Sequence, residues 1–165
     1  MAERMELTRP VFFVGFMGAG KTSVTRRLAR TCGVASVDMD TYIERREGKK
    51  VKEIFAEGGE TAFRRLETEA LRELGKRSGI ILSTGGGCVT RSENYPLLHQ
   101  NGTIFWLLRS PWKLPSDGRP LSQAESAEAM YARREPMYRR FVDVKIDNEG
   151  AIERAVEAIA RKVLL

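Results

Sequence analysis

The sequence predicts an α/β domain built on a mainly parallel sheet. Three observations carry this. Short apolar runs alternate with segments of helical spacing, a glycine-rich loop joins the first apolar run to the first helix, and neither a repeat nor a composition break divides the 165 residues. That length suits one domain with its own core, so residues 1–165 are taken as one unit.

The elements follow in order. "PVFFVGF" is a buried strand, β-branched and aromatic throughout. In "KTSVTRRLARTCG", Val24, Leu28 and Cys32 share one helical face and Gly33 supplies the stop. "VASVDMD" alternates as a second strand, with Ala35, Val37 and Met39 on one face and Ser36, Asp38 and Asp40 on the other. "TYIERREG" and "KKVKEIFAEGG" are short helices ending at glycine, and "ETAFRRLETEALREL" is a longer one with Phe63, Leu66, Ala70 and Leu74 inward. "GIILSTGGG" is a strand running into three glycines. "RSENYPLLHQNG" is a helical connection started or interrupted near Pro96, and "TIFWLL" is a strand. "RSPWKLPSDGRPLSQ" is a proline-rich loop. "AESAEAMYARREPMYRRF" is a helix expected to bend or break near Pro136. "VDVKID" is a strand and "EGAIERAVEAIARKVLL" an amphipathic closing helix, giving about five strands in all.

Composition narrows the function. Apolar residues make 42% and charged residues 30%, a globular balance. No apolar run approaches the ~20 residues that span a membrane, so no membrane partner is expected. "MAERMELTRP" lacks the apolar centre of a signal peptide, which places the protein in the cytoplasm. Cys32 and Cys88 read as reduced, buried or half-buried thiols, and His99, the single histidine, cannot build a metal cluster. The formal charge is +6, without a basic run or interleaved aromatics. This favours small anions over nucleic acid.

Gly15, four residues, then Gly20-Lys21-Thr22 match the phosphate-binding loop, with a buried strand before it and an amphipathic helix after it. Small residues let several backbone N–H groups converge on a triphosphate. The helix that begins at Lys21 adds its free N–H groups and dipole. Lys21 reaches the outer phosphates, and Thr22 offers a hydroxyl to phosphate-bound magnesium. Gly18, Ala19, Gly20, Lys21, Thr22 and Ser23 are therefore the candidate nucleotide-binding residues for MgATP or MgGTP.

Four further features have two readings each. Asp38 and Asp40, roughly 7 Å apart on one strand face, suit a magnesium-water contact and an acceptor hydroxyl, while Asp40 equally suits a helix N-cap. Arg64 suits a substrate carboxylate, or ion pairs with Glu60 and Glu67. Arg134 has the same carboxylate reading, against an ion-paired or solvated surface position. "TGGG" suits close backbone approach to a ligand or a plain turn, and Arg119 in "DGRPLS" suits transferred-phosphate stabilisation or a solvated loop.

Together and in order, "GFMGAGKTS", "VDMD", "FRRLE", "TGGG", "GRPL" and "REPMYRR" resemble the shikimate kinase family, and they span residues 15 to 140. The resemblance implies a P-loop kinase fold, three-layer α/β/α, with a five-stranded parallel sheet in the order 2-3-1-4-5. It also implies a short lid over roughly residues 109–124. It implies transfer of the γ-phosphoryl group of ATP to the 3-hydroxyl of shikimate, with Mg2+, in aromatic amino-acid biosynthesis. Carried onto this chain, Lys21 contacts phosphates, and Thr22 and, through water, Asp38 hold magnesium. Asp40 binds the shikimate hydroxyls and is the candidate base. Arg64 and Arg134 hold the carboxylate, Gly86 donates its N–H, and Arg119 is the lid arginine. Phe55 and Phe63 are candidates to wall the ring. A chain of this size in this family is expected to be a monomer.

The chain departs from the family between "TIFWLL" and "GRPL", where a helix usually carries an arginine against the adenine. Here Pro111 and Pro115 interrupt a shorter segment, which leaves Arg109, Trp112 and Lys113 as alternative adenine partners. The lid reads "RPLS" where a second leucine is usual. Two other readings stay open: a phosphate-loop kinase for another small acceptor, such as gluconate or a nucleoside monophosphate, and a non-catalytic ATP-binding module.

Overall fold

The computed structural model describes Leu7 and residues 9–16, 18–109 and 126–163. Five strands form one parallel sheet: β1 (Val11–Val14), β2 (Ala35–Asp38), β3 (Ile80–Ser83), β4 (Thr103–Leu108) and β5 (Val144–Asp147), in the order β2-β3-β1-β4-β5. β1 sits at the centre, with Val11 opposite Ile81 on one side and Thr103 on the other. Every residue of β1 and β3 is buried, as continuous apolar runs require in a sheet covered on both faces.

Strand alternation builds two cores. Phe12, Val14, Leu82, Ile104 and Trp106 point to one face and meet helices α2 (Met39–Glu47), α3 (Val51–Leu74), α4 (Asn94–His99) and α5 (Ala127–Phe141). Val11, Phe13, Ile81, Phe105 and Leu107 point to the other and meet α1 (Lys21–Cys32) and α6 (Ile152–Val163). This is the expected three-layer arrangement. It has a direct functional consequence. The strand order reverses beside β1, and the loops leaving β1, β2 and β3 at their carboxyl ends meet in one crevice.

Some local expectations change. β2 stops at Asp38, and Met39 turns into the core as the first residue of α2. The N-cap of α2 is Asp38, whose Oδ1 accepts from the Thr41 N–H at 3.1 Å. Asp40 is therefore in the first helical turn, neither the cap nor on the strand face of Asp38. A carboxylate three residues before a free N–H forms the cap as soon as the chain turns, and the burial of Met39 fixes where it turns. α5 runs through Pro136 without breaking. Met130, Arg134, Tyr138 and Phe141 are buried on both sides of the proline, so packing against the sheet overrides its local preference.

The two helices read before and after "EGG" form α3, kinked at Gly59, whose φ of 73° and ψ of −174° suit glycine alone. A Cβ on Gly59 meets nothing within 4 Å, so any cost of adding one is backbone strain. Gly59→Ala is expected to lower stability by about 1–3 kcal/mol in urea unfolding. A change near zero would mean that the kink is not set by this residue.

Candidate active site

The crevice at the carboxyl ends of β1–β3 has a volume of about 380 Å³. Its walls bring together Gly18, Gly20, Lys21, Thr22 and Ser23 of the glycine loop and α1, Asp38 and Asp40 around the β2–α2 junction, and Thr84, Gly85 and Gly86 after β3. The loop therefore shares one crevice with both aspartates and with Gly85 and Gly86. Ala19 is buried beneath it, and its carbonyl accepts from Asn148 Nδ2 at 2.6 Å, tying the loop to the end of β5.

α1 starts without a side-chain cap and with no acid in its first turn. Its leading N–H groups and dipole thus favour an anion. Lys21 is buried, and its ammonium donates to Gly15 O at 2.6 Å and Phe16 O at 3.0 Å. Thr22 Oγ1 donates to Asp38 Oδ2 at 3.0 Å. That hydroxyl and carboxylate form an oxygen pair suited to magnesium completed by phosphate and water, as this hard cation prefers. Among the described residues no three His, Cys, Asp or Glu side chains cluster as a metal cage.

Asp40 is exposed to the crevice, with protein packed around its carboxyl. Burial, then the Asp38 charge, raises its pKa, and Lys21 and Arg64 offset this only in part. A carboxyl moved upward in this way is a better proton acceptor than an ordinary aspartate.

Beside it lies a buried charge group. Arg64 is 6% exposed, Glu67 0% and Arg134 1%. Arg64 Nη1 donates to Glu67 Oε1 at 2.9 Å, and Arg64 Nη2 pairs with Glu60 at 3.2 Å, so both ion-pair partners foreseen for Arg64 are present. Burial opposes the Arg64 charge, but these two glutamates outweigh it and raise its pKa. Arg134, in contrast, is no surface residue. Its Nε and Nη1 are buried without a hydrogen-bond partner among the described residues, and its guanidinium stands 6.0 Å from the Phe16 ring centroid. Burial lowers its pKa, with Tyr138 opposing the shift. Tyr138, whose own pKa burial raises, donates its hydroxyl to Gly86 O at 2.5 Å and so orients the middle glycine.

Two of the three glycines after β3 are crowded by protein side chains. A Cβ on Gly87 would sit 2.1 Å from Arg64 Nη2, and one on Gly85 would sit 2.6 Å from Glu67 Oε2. A polar chain behind this turn holds it in place: Thr68 Oγ1 donates to Asn94 Oδ1, and Asn94 Nδ2 donates to Cys88 O, both at 2.8 Å. Cys88 is buried and Cys32 half-buried, both free. The Phe55 and Phe63 rings lie 5.0 Å apart, with Phe63 in the core and Arg64 5.3 Å from its centroid. Arg119 and the lid, apart from Arg109, fall outside the described residues.

Sequence reasoning treated Glu67 only as an ion-pair partner. Its signal was positional, since Glu67 shares the inward stripe of Phe63, Ala70, Leu71 and Leu74 on α3. Burial pushes its pKa up to about 6, against the pull of Arg64 and Arg134. Arg64 stays charged while Glu67 becomes easier to protonate, because the carboxylate is the more deeply enclosed member and its Oε2 has no hydrogen-bond partner. The folded value lies above the ordinary 4.5, so the native state holds the proton more tightly than the unfolded chain. Stability from this group is therefore full below that ordinary value and falls as pH rises through about 6, by about 2 kcal/mol. In urea unfolding, the stability of wild type relative to Glu67→Gln is expected to fall by that amount between pH 4 and pH 7. A constant difference would refute the raised pKa.

Comparison with known proteins places the chain. A family model described as shikimate kinase matches residues 17–164. A shikimate kinase of Cupriavidus pinatubonensis is 42% identical, over 98% of this chain and 88% of its own length. The solved structure described as shikimate kinase from Acinetobacter baumannii in complex with shikimate superposes with a TM-score of 0.89 at 34% identity, covering 96% of this chain and 94% of that one. A gluconokinase structure from Sinorhizobium meliloti, at 16% identity and a TM-score of 0.55 over 96% and 95% of the two chains, shares the fold alone. With the phosphate loop and both aspartates in one crevice and Arg64 close enough to act on Asp40, the chain belongs to the shikimate kinase family.

Proposed function

We infer that this protein is an ATP-dependent kinase that transfers the γ-phosphoryl group to the 3-hydroxyl of shikimate, giving shikimate 3-phosphate and ADP. The observation that carries the acceptor is Arg134: a guanidinium 1% exposed, with two nitrogens lacking partners among the described residues, near enough to feel the charge of Arg64, which in turn acts on Asp40, a carboxylate suited to a hydroxyl. An acceptor with one carboxylate and several hydroxyls matches that set.

Each residue then has a role. The N–H groups of the loop and of the first turn of α1, from Gly18 to Ser23, hold the outer phosphates, and Lys21 adds its charge. Thr22 and, through water, Asp38 would hold magnesium, which when bound would shield the phosphate charge. Arg64 and Arg134 hold the shikimate carboxylate as bidentate forks, and the Gly86 N–H fixes the ring. Asp40 accepts a hydrogen bond from the 3-hydroxyl, aims its oxygen along the transfer line, and takes its proton as the bond to phosphorus forms. Arg119, from the lid over roughly residues 109–124, closes on the transferred group. Positioning and charge stabilisation supply most of the acceleration. The domain is proposed to act as a cytoplasmic monomer with no nucleic-acid partner. Among the described residues no helix is long and apolar enough to cross a membrane.

ADP release measured across shikimate, gluconate and nucleoside monophosphates tests this reading. Shikimate is expected to dominate. Preference for another acceptor would overturn it, and ATP binding without any phosphorylated acceptor would favour the non-catalytic module. Within the same assay, Asp40→Asn is expected to lose about 10²- to 10⁴-fold in turnover while ADP affinity stays near wild type. Turnover like that of wild type would remove Asp40 from the proton transfer.

A further inference from the structure

The proline-interrupted segment after β4 left the nucleotide without an assigned partner on that side. Arg109 is the first residue beyond β4, and it lines the same crevice as Lys21, Thr22 and Asp40. Its Nη1 donates to Gly18 O at a long 3.3 Å, and its Nε is buried with no hydrogen-bond partner among the described residues. Among the described residues it pairs with no carboxylate. Most other arginines that reach an acid are tied on the outer surface, as in Arg27–Glu153 and Arg46–Glu73.

We propose that Arg109 is a nucleotide ligand whose guanidinium binds the outer phosphates of ADP and ATP from the β4 side, opposite α1. The inference rests on the nucleotide-binding reading of the crevice. The backbone fixes where this arginine sits. A Cβ on Gly15 would lie 2.9 Å from Leu107 O, so the start of the phosphate loop is packed directly on the end of β4. Asn148, which follows β5, anchors Ala19 of the same loop and donates its backbone N–H to Leu108 O. The loop and the stem of Arg109 are thus held together by short contacts on two sides.

The chemistry follows from that placement. A guanidinium that lines a polar crevice and keeps an N–H without a partner among the described residues calls for an anionic oxygen acceptor. A phosphate offers several, in the planar geometry that a guanidinium fork matches. Arg109 and Lys21 share a pattern, each a cation donating to carbonyls of the one loop, at Gly18 for the first and at Gly15 and Phe16 for the second. Arg109 Nη1 rests on Gly18 of the phosphate loop itself, so the guanidinium is assigned to the outer phosphates and not to the adenosine end. A role as an adenine partner, or as a strap that merely stiffens the loop, would distribute the effect of its removal differently.

Calorimetric affinities for ADP and AMP separate these roles. They would be measured on the wild type, Arg109→Gln and Arg109→Lys, with thermal midpoints recorded alongside. Arg109→Gln is expected to weaken ADP by about tenfold or more, the usual scale for a lost charge-assisted hydrogen bond, and to leave AMP within about twofold. Arg109→Lys is expected to recover part of the ADP affinity. If the Gln variant melts early, Arg109→Lys alone gives the reading, with ADP weakened and AMP unchanged. Unchanged ADP affinity overturns the proposal, and so does an equal loss for ADP and AMP. Failure of the wild type itself to bind ADP would instead remove the nucleotide site, and this inference with it.

Discussion

A guanidinium removed from water with no carboxylate paired to it among the described residues is costly, and the region between α3 and α5 is arranged around that cost at Arg134. Only partial compensation is present. The Phe16 face, the Tyr138 hydroxyl and the field of Glu67 surround it, while two of its nitrogens stay without a partner. Within the buried group, two guanidiniums share one glutamate whose own pKa burial has raised to about 6. The local balance is therefore positive, and grows more so as Glu67 takes up a proton. A carboxylate entering this place would supply both the missing charge and the missing acceptors.

The sheet makes such a site possible. Neither Arg64 on α3 nor Arg134 on α5 is near the other in sequence, but both helices cover the same face, over Phe12, Val14 and Trp106. The phosphate loop leaves β1 at the point where strand order reverses, so the donor half lies beside the acceptor half. The glycines after β3 let the two halves approach. Gly85 and Gly87 clear room for Glu67 and Arg64, and Gly86 is oriented by Tyr138. Bulk at either flanking position would move the arginine and glutamate first, and the turn only afterwards.

Much of this was legible in the sequence because it is written in short-range patterns. The apolar run before "GFMGAGKTS" and the helical spacing after it specified β1, the loop and α1. Alternation specified β2 but overran it by two residues, since the buried Met39 fits a strand face as well as a helix start. Of the bend or break expected at Pro136 the break does not occur, because propensity is local and the stripe of Met130, Arg134, Tyr138 and Phe141 is buried on both sides of the proline. The burial of Arg134 was illegible, because no local rule puts an unpaired charge inside. The family resemblance supplied that role in advance of any physical argument for it. Glu67 lay between these cases, visible on the inward stripe yet read as an ordinary helix ion pair.

The central claim is that the buried arginines are built to receive the acceptor's carboxylate. Calorimetry of wild type and Arg134→Met with shikimate and with its methyl ester tests it most directly, since the ester keeps the hydroxyls and ring and removes only the charge. The wild type is expected to prefer the acid by at least about 30-fold, the scale for breaking a buried charge pair, and Arg134→Met is expected to lose most of that preference. Equal binding of acid and ester by the wild type, or a preference that survives intact in Arg134→Met, would contradict it.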